Sequence, residues 1–91
     1  MKVTVSNHPG YFGFFTQDQA EGAITNGTRI VKANSEPGDG NADGAPGVVL
    51  GSLAVDVPKL GPRIAYFVEW DARPRLAVFV ADSKVTPAGR S

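Results

Sequence analysis

The sequence predicts an all-β fold, and three observations predict it. Residues 64–81, IAYFVEWDARPRLAVFVA, read as two strand-prone arms separated by turn formers. Eleven glycines and seven prolines punctuate the 91 residues into short segments. A single stretch, residues 16–24, carries a helix signal, and it is too short to be stable alone. Short β-branched and aromatic runs between frequent breakers favour strands over a helical bundle.

The two arms of 64–81 form the hairpin on which the rest is expected to pack. Strand side chains alternate faces with period two, so Ile64, Tyr66, Val68 and Trp70 share one face of the first arm. Leu76, Val78 and Val80 alternate with Ala77, Phe79 and Ala81 in the second. The link Asp71-Ala72-Arg73-Pro74 is turn-prone, and Pro74 has no N–H for a ladder.

In chain order, residues 2–6 (KVTVS) read as an opening strand and Asn7-His8-Pro9-Gly10 as a turn. In YFGFFT four aromatics surround Gly13; they are expected to form one wall of the core, the alternative being an exposed aromatic platform. Within 16–24, Thr16 or Asp18 would cap a turn or two of helix ended by Gly22. Residues 28–33 (TRIVKA) are a strand, and 34–47 (NSEPGDGNADGAPG) form an acidic, glycine-rich loop, long for a compact domain. Residues 47–57 return to strand with a bend or bulge at Gly51, and PKLGP leads into the hairpin. A turn at Asp82 and Ser83 then precedes a closing strand through Val85.

Nine basic and nine acidic residues cancel, which argues against strong nonspecific binding to nucleic acid or anionic membrane. The balance is uneven: residues 1–58 carry three basic and six acidic groups, and residues 59–91 carry six and three. Without cysteine, disulfides and thiolate metal sites are excluded. The N-terminus has no apolar core of a signal peptide, and the longest apolar run, near VVLGSLAV, is too short to span a bilayer. A cytoplasmic location is expected, with no membrane contact.

From Gly27 onward the order of signals resembles the SH3-like small barrels. A glycine precedes a strand (Gly27-Thr28-Arg29-Ile30-Val31), and a long loop ends in a glycine-bounded strand (Gly44-Ala45-Pro46-Gly47-Val48-Val49). An aromatic and valine strand closes on an aromatic–acid pair (Tyr66-Phe67-Val68-Glu69-Trp70-Asp71), and Val85-Thr86-Pro87 ends the pattern. The resemblance implies a partly open barrel of five or six mostly antiparallel strands, with at most one short helical turn. Residues 1–91 would be a single domain: 1–26 an extension packed on the barrel, 27–88 the barrel, and 89–91 a loose tail. Relatives of that shape include ribosome-associated modules, the small stromal subunit of photosystem I and accessory chains of redox enzymes. The paired tyrosines and tryptophan of the signalling SH3 groove find no aligned positions here, so polyproline recognition is not implied.

The sharpest local motif is Asp39-Gly40-Asn41-Ala42-Asp43-Gly44, which matches the opening of a calcium loop. The match fails at the twelfth position, Leu50, where a bidentate Glu belongs, and Pro46 and Gly47 interrupt the following helix. Asp39, Asn41 and Asp43, with Glu36 as a fourth, are too few oxygen donors for an ion that takes six to eight. A plain surface loop is expected, and no metal or cofactor. His8 is the sole histidine and has no partner ligand. No G-x-S-x-G turn is present, and Glu69 and Asp71 are expected to face solvent or to meet Arg73 and Arg75. No enzyme is predicted.

The core is expected from Ile30, Val48, Leu50, Ile64, Tyr66, Val68, Leu76, Val78 and Val80, with Trp70 at its edge. The predicted function is a noncatalytic protein-interaction module, a small accessory or regulatory subunit of a larger bacterial-type complex. Contacts would come from Tyr11, Phe12, Arg63, Trp70, Arg73 and Arg75, with loop 34–47 as a mobile second element. The alternative is an RNA- or ribosome-binding barrel, with Arg63, Arg73, Arg75 and Lys84 beside Trp70 and Tyr66 as the nucleic-acid face. A weak calcium-binding loop is the third reading. Oligomeric state is left open, since residues 2–6 would equally pair with a second subunit.

Overall fold

The computed structural model describes residues 6–88. Its strands are β1 (Ser6–Asn7), β2 (Phe14–Phe15), β3 (Arg29–Lys32), β4 (Pro46–Val57), β5 (Gly61–Trp70), β6 (Val78–Ala81) and β7 (Val85–Pro87). A 3-10 turn, Asp82–Lys84, joins β6 to β7. The first two strands pair with each other. The other five make one antiparallel sheet in the order β6-β5-β4-β3-β7. The chain therefore meanders from β3 to β6, then returns so that β7 pairs with β3. Strands β6 and β7 are the two edges, and the sheet is not closed between them. The fold is all-β, as predicted. The part of the opening strand before Ser6 and the tail 89–91 lie outside the described residues.

The longest pairing is β4 with β5, from Gly47 opposite Trp70 to Val57 opposite Gly61. Their turn closes with the Leu60 amide donating to the Val57 carbonyl at 3.0 Å, and Lys59 and Gly61 both have positive φ. The register shifts between Val49 and Gly51, the bulge expected at that glycine. It also corrects the predicted core. Val49 is buried, whereas Val48 and Leu50 are only half-buried. Val48 pairs with Glu69 on the outer face, and Leu50 is the extra residue of the bulge. Three consecutive apolar residues show no alternation, so their phase was not readable from hydrophobicity.

The core cluster is Ile30, Val49, Tyr66, Val68, Trp70 and Val85, with Ala23, Ile24, Ile64, Val78 and Val80 packed against it. Trp70 is not at the core edge as expected. It is 2% exposed, because Gly47 leaves room for the ring: a Cβ there would lie 2.7 Å from Cε3. Leu76 does not join the core either. The second hairpin arm forms a strand only from Val78, and Leu76 makes an isolated parallel bridge to Phe12.

The segment before β3 lies across β4. Phe15 and Thr16 are buried, and the Ser52 amide donates to the Asp18 carbonyl at 2.9 Å. The Ala20 amide donates to Ser52 Oγ at 2.9 Å and the Ile24 amide to the Tyr66 hydroxyl at 3.0 Å. This replaces the helix expected in 16–24. Backbone groups laid on a sheet must be paired, and here β4 and Tyr66 pair them rather than a helical ladder. The aromatic run is divided: Phe15 is buried between His8 and Tyr11, while Phe12 and Phe14 are exposed.

A cation-rimmed cavity at the sheet edge as the candidate site

A cavity of about 360 Å³ opens along the edge of β6. All four residues of that strand line it, with Trp70 from β5 beside them. Across from them stand Lys32 of β3 and Lys84 of the 3-10 turn. Arg73, from the β5–β6 link, and residues 38–41 of the long loop complete the rim. The fold brings these together because Lys32 of β3 and Lys84, three residues after β6, line the same cavity as β6 although β3 does not pair with it.

Lys32 is 6% exposed, on the same strand face as buried Ile30. A buried ammonium must be paired, and its Nζ donates to Ser35 Oγ and Asp39 Oδ2, each at 2.9 Å. Lys84 Nζ reaches the same Asp39 oxygen at 3.2 Å and the Asn34 carbonyl at 2.8 Å. The Glu36 amide donates to Asp39 Oδ2 as well, at 3.0 Å. The Lys32 hydrogen bond, then the Glu36 amide and Lys84, hold the Asp39 carboxyl far below the usual carboxylate range. Asp43 is also lowered, because its carboxylate accepts from Ser35.

Those bonds decide what the acidic loop can hold. Asp39 turns to two ammonium groups, Asp43 turns to the Ser35 amide, and the Asn41 carbonyl accepts from Ser35 Oγ at 2.9 Å. The Asp39 and Asp43 carboxylates thus serve internal partners, and Asn41 takes part through its backbone carbonyl. Among the described residues no three His, Asp or Glu side chains gather as a metal site. The loop is also fastened at its base, where Gly44 N donates to Lys32 O and Lys32 N to Ala45 O, both at 2.9 Å.

Arg73 differs from the lysines. Its guanidinium makes no hydrogen bond or ion pair among the described residues, and it lies beside Gly40, where a Cβ would be 2.8 Å from Nη1. Lys32 and Lys84 are thus answered by Asp39, with Glu36 3.7 Å from Lys84 as well, and Arg73 is the rim cation without a partner among the described residues.

The remaining predicted contact residues fall in two other places. The Tyr11 hydroxyl donates to Glu69 Oε1 at 3.1 Å, and the Arg75 amide donates to Oε2 at 2.9 Å. Burial, reinforced by Glu69 and opposed by Arg75, holds the Tyr11 phenol above its ordinary pKa. Phe12, 69% exposed, is fixed by its amide donating to the Arg75 carbonyl and its carbonyl accepting from Ala77. Arg63 is at the far end of β5, roughly 23 Å from Trp70 along the strand. It is engaged with Asp82 at 3.0 Å. Asp71 faces solvent, one of the two expected outcomes, and meets neither Arg73 nor Arg75; it pairs with Arg29, whose Nη1 lies 3.0 Å from Oδ1. His8 stacks on Phe15 and bonds the Phe15 carbonyl.

Sequence reasoning missed Lys32 and Phe79. Alternation held the signal for both: Ile30 pointing inward requires Lys32 to point inward, and Val78 and Val80 pointing inward require Phe79 to point out. Phe79 is 57% exposed and its ring lies 5.1 Å from that of Phe67. It borders a second hollow of about 460 Å³ with Leu60, Val55, Val57, Ala65 and Ala81, a mostly apolar surface. Among the described residues no helix is long and apolar enough to cross a membrane.

No family model matches this chain, and no match is found among curated proteins or solved structures.

Proposed function

We propose that this chain is a noncatalytic protein-interaction module of the SH3-like small-barrel type, serving as an accessory or regulatory subunit of a larger complex. The strand order supports the fold reading: a four-strand meander, a 3-10 turn, then a last strand returning to the first. Fold alone does not assign a task. The observation that carries the task is exposed apolar surface beside an unpaired sheet edge. Phe12, Phe14, Leu60 and Phe79 are all more than half exposed, in a chain whose core holds a tryptophan and a tyrosine. Leu60 and Phe79 border one mostly apolar hollow, and contiguous exposed apolar surface of that kind marks contact sites.

The basic residues favour a protein over a nucleic acid. Arg29, Lys32, Arg63 and Lys84 each pair with a carboxylate, which leaves few cations to neutralise phosphate. The test is affinity capture of the tagged chain from its host's lysate, with and without nuclease, beside Phe79→Ser and Arg73→Ala variants. A near-stoichiometric protein indifferent to nuclease and lost with the variants, at unchanged melting temperature, supports the module. Ribosomal proteins that disappear with nuclease would replace it with the RNA reading.

A further inference from the structure

The geometry points to β6 as a docking edge for an extended segment of a partner protein in which acidic side chains alternate with apolar ones; this rests on the interaction-module reading. Side chains of a strand alternate between faces, so a cavity touching one face meets every second residue. The cation-rimmed cavity instead meets Val78, Phe79, Val80 and Ala81 in succession. It therefore runs along the strand's edge, where backbone groups are presented. Among the described residues, β6 has no backbone partner other than β5. An added strand needs such a row of unpaired N–H and C=O groups. Four residues give a contact about 13 Å long.

The two hollows beside that edge set the side-chain pattern. The cavity is lined by Arg73, Lys84, Lys32 and the Asp39 carboxylate, with Glu36 3.7 Å from Lys84 outside it, and the Arg73 guanidinium has no partner among the described residues. An incoming carboxylate is its complement and would form a charge-assisted pair there. On the outer face Phe79 and Ala81, two residues apart, border the apolar hollow with Leu60 and Ala65. An added strand whose acidic side chains point to the cavity places its other side chains over this hollow, where apolar groups are the ones stabilised. A second copy of this chain is a poor occupant, because its own β6, Val78–Ala81, carries no acid.

The probe is a seven-residue peptide alternating glutamate with valine and phenylalanine. It is compared with a lysine-for-glutamate counterpart and with a version methylated on alternate backbone nitrogens. Trp70, the only tryptophan, reports occupancy of the cavity by fluorescence, and amide exchange at residues 78–81 reports strand addition. Saturable binding of the acidic peptide with slowed exchange at β6 is expected. Loss on backbone methylation and about tenfold weakening by Arg73→Gln should accompany it. Equal binding of the lysine peptide, binding without protection of β6, or dimerisation through β6 would each overturn the proposal. So would no binding of the acidic peptide by a chain that still captures its partner from lysate, and in that case the module reading would survive.

Discussion

The carbonyl group of Thr16 crosses β4 at Gly51, in the space where a side chain would begin. A Cβ there would overlap backbone atoms, which cannot swing aside like the end of a long side chain. Gly51→Ala should therefore lift residues 16–18 off the strand and cost about 2–3 kcal/mol. Equilibrium denaturation measures the loss, and amide exchange should quicken at Ser52, whose amide donates to Asp18. Gly40→Ala is the control. It meets only the tip of the Arg73 side chain, and its cost should stay under about 0.5 kcal/mol.

Asp39 joins Lys32 of β3 to Lys84 of the 3-10 turn through one carboxylate oxygen. A carboxyl whose pKa is lowered by folding contributes stability above its unfolded value, about 3.9, and loses that contribution as pH falls toward the folded value. Asp43, Asp71 and Asp82 are lowered too, so the whole chain should weaken in acid. The expected outcome is a stability gap between wild type and Asp39→Asn that is widest near pH 7 and narrows on acidification through about pH 4 to 2. Denaturation midpoints at several pH values measure it. A gap constant with pH would mean the loss is one of packing, not charge.

The same cluster shows where the sequence stopped being legible. Strands 64–70 and 78–81 were readable as β-branched and aromatic runs divided by the turn formers between them, with Glu69 marking the outer face of the first, and Gly51 announced its bulge by being a glycine inside a strand. Residues 48–50 were not, because Val-Val-Leu is apolar at every position and the phase is set by the bulge. Asp39, Asn41 and Asp43 spell a cation loop locally, yet the cations that claim Asp39 are ammonium groups, one of them 45 residues away in the chain. Trp70 was expected at the core edge. Only the pairing of Gly47 with Trp70 shows why the ring is buried.

Glu69 fastens the N-terminal segment and the β5–β6 link with its two oxygens, one taking the Tyr11 hydroxyl and the other the Arg75 amide. Tyr11→Phe removes the first bond alone and should cost about 1 kcal/mol. Glu69→Ala removes both and should cost about 2 kcal/mol. Since one carboxylate serves both bonds, the double variant should cost no more than Glu69→Ala by itself. Three denaturation curves test this, and additive losses would show that the Tyr11 hydroxyl contributes through something other than its bond to Glu69.

Arg75 holds a positive φ of 68° so that its amide can face Glu69. That left-handed conformation costs a residue with a Cβ about 1–2 kcal/mol, and glycine adopts it freely at a smaller entropic cost in the unfolded chain. The side chain offers little in return, a 3.4 Å contact from Nη1 to the Gly10 carbonyl on an exposed surface. Arg75→Gly should thus raise stability by about 0.5–1 kcal/mol, while Arg75→Ala, which keeps the strained φ, should leave it almost unchanged. Chemical denaturation of the two variants separates backbone from side chain. If glycine destabilised the chain while alanine did not, the turn would be drawing its stability from a restricted unfolded state, and relief of strain at residue 75 would be too small to matter.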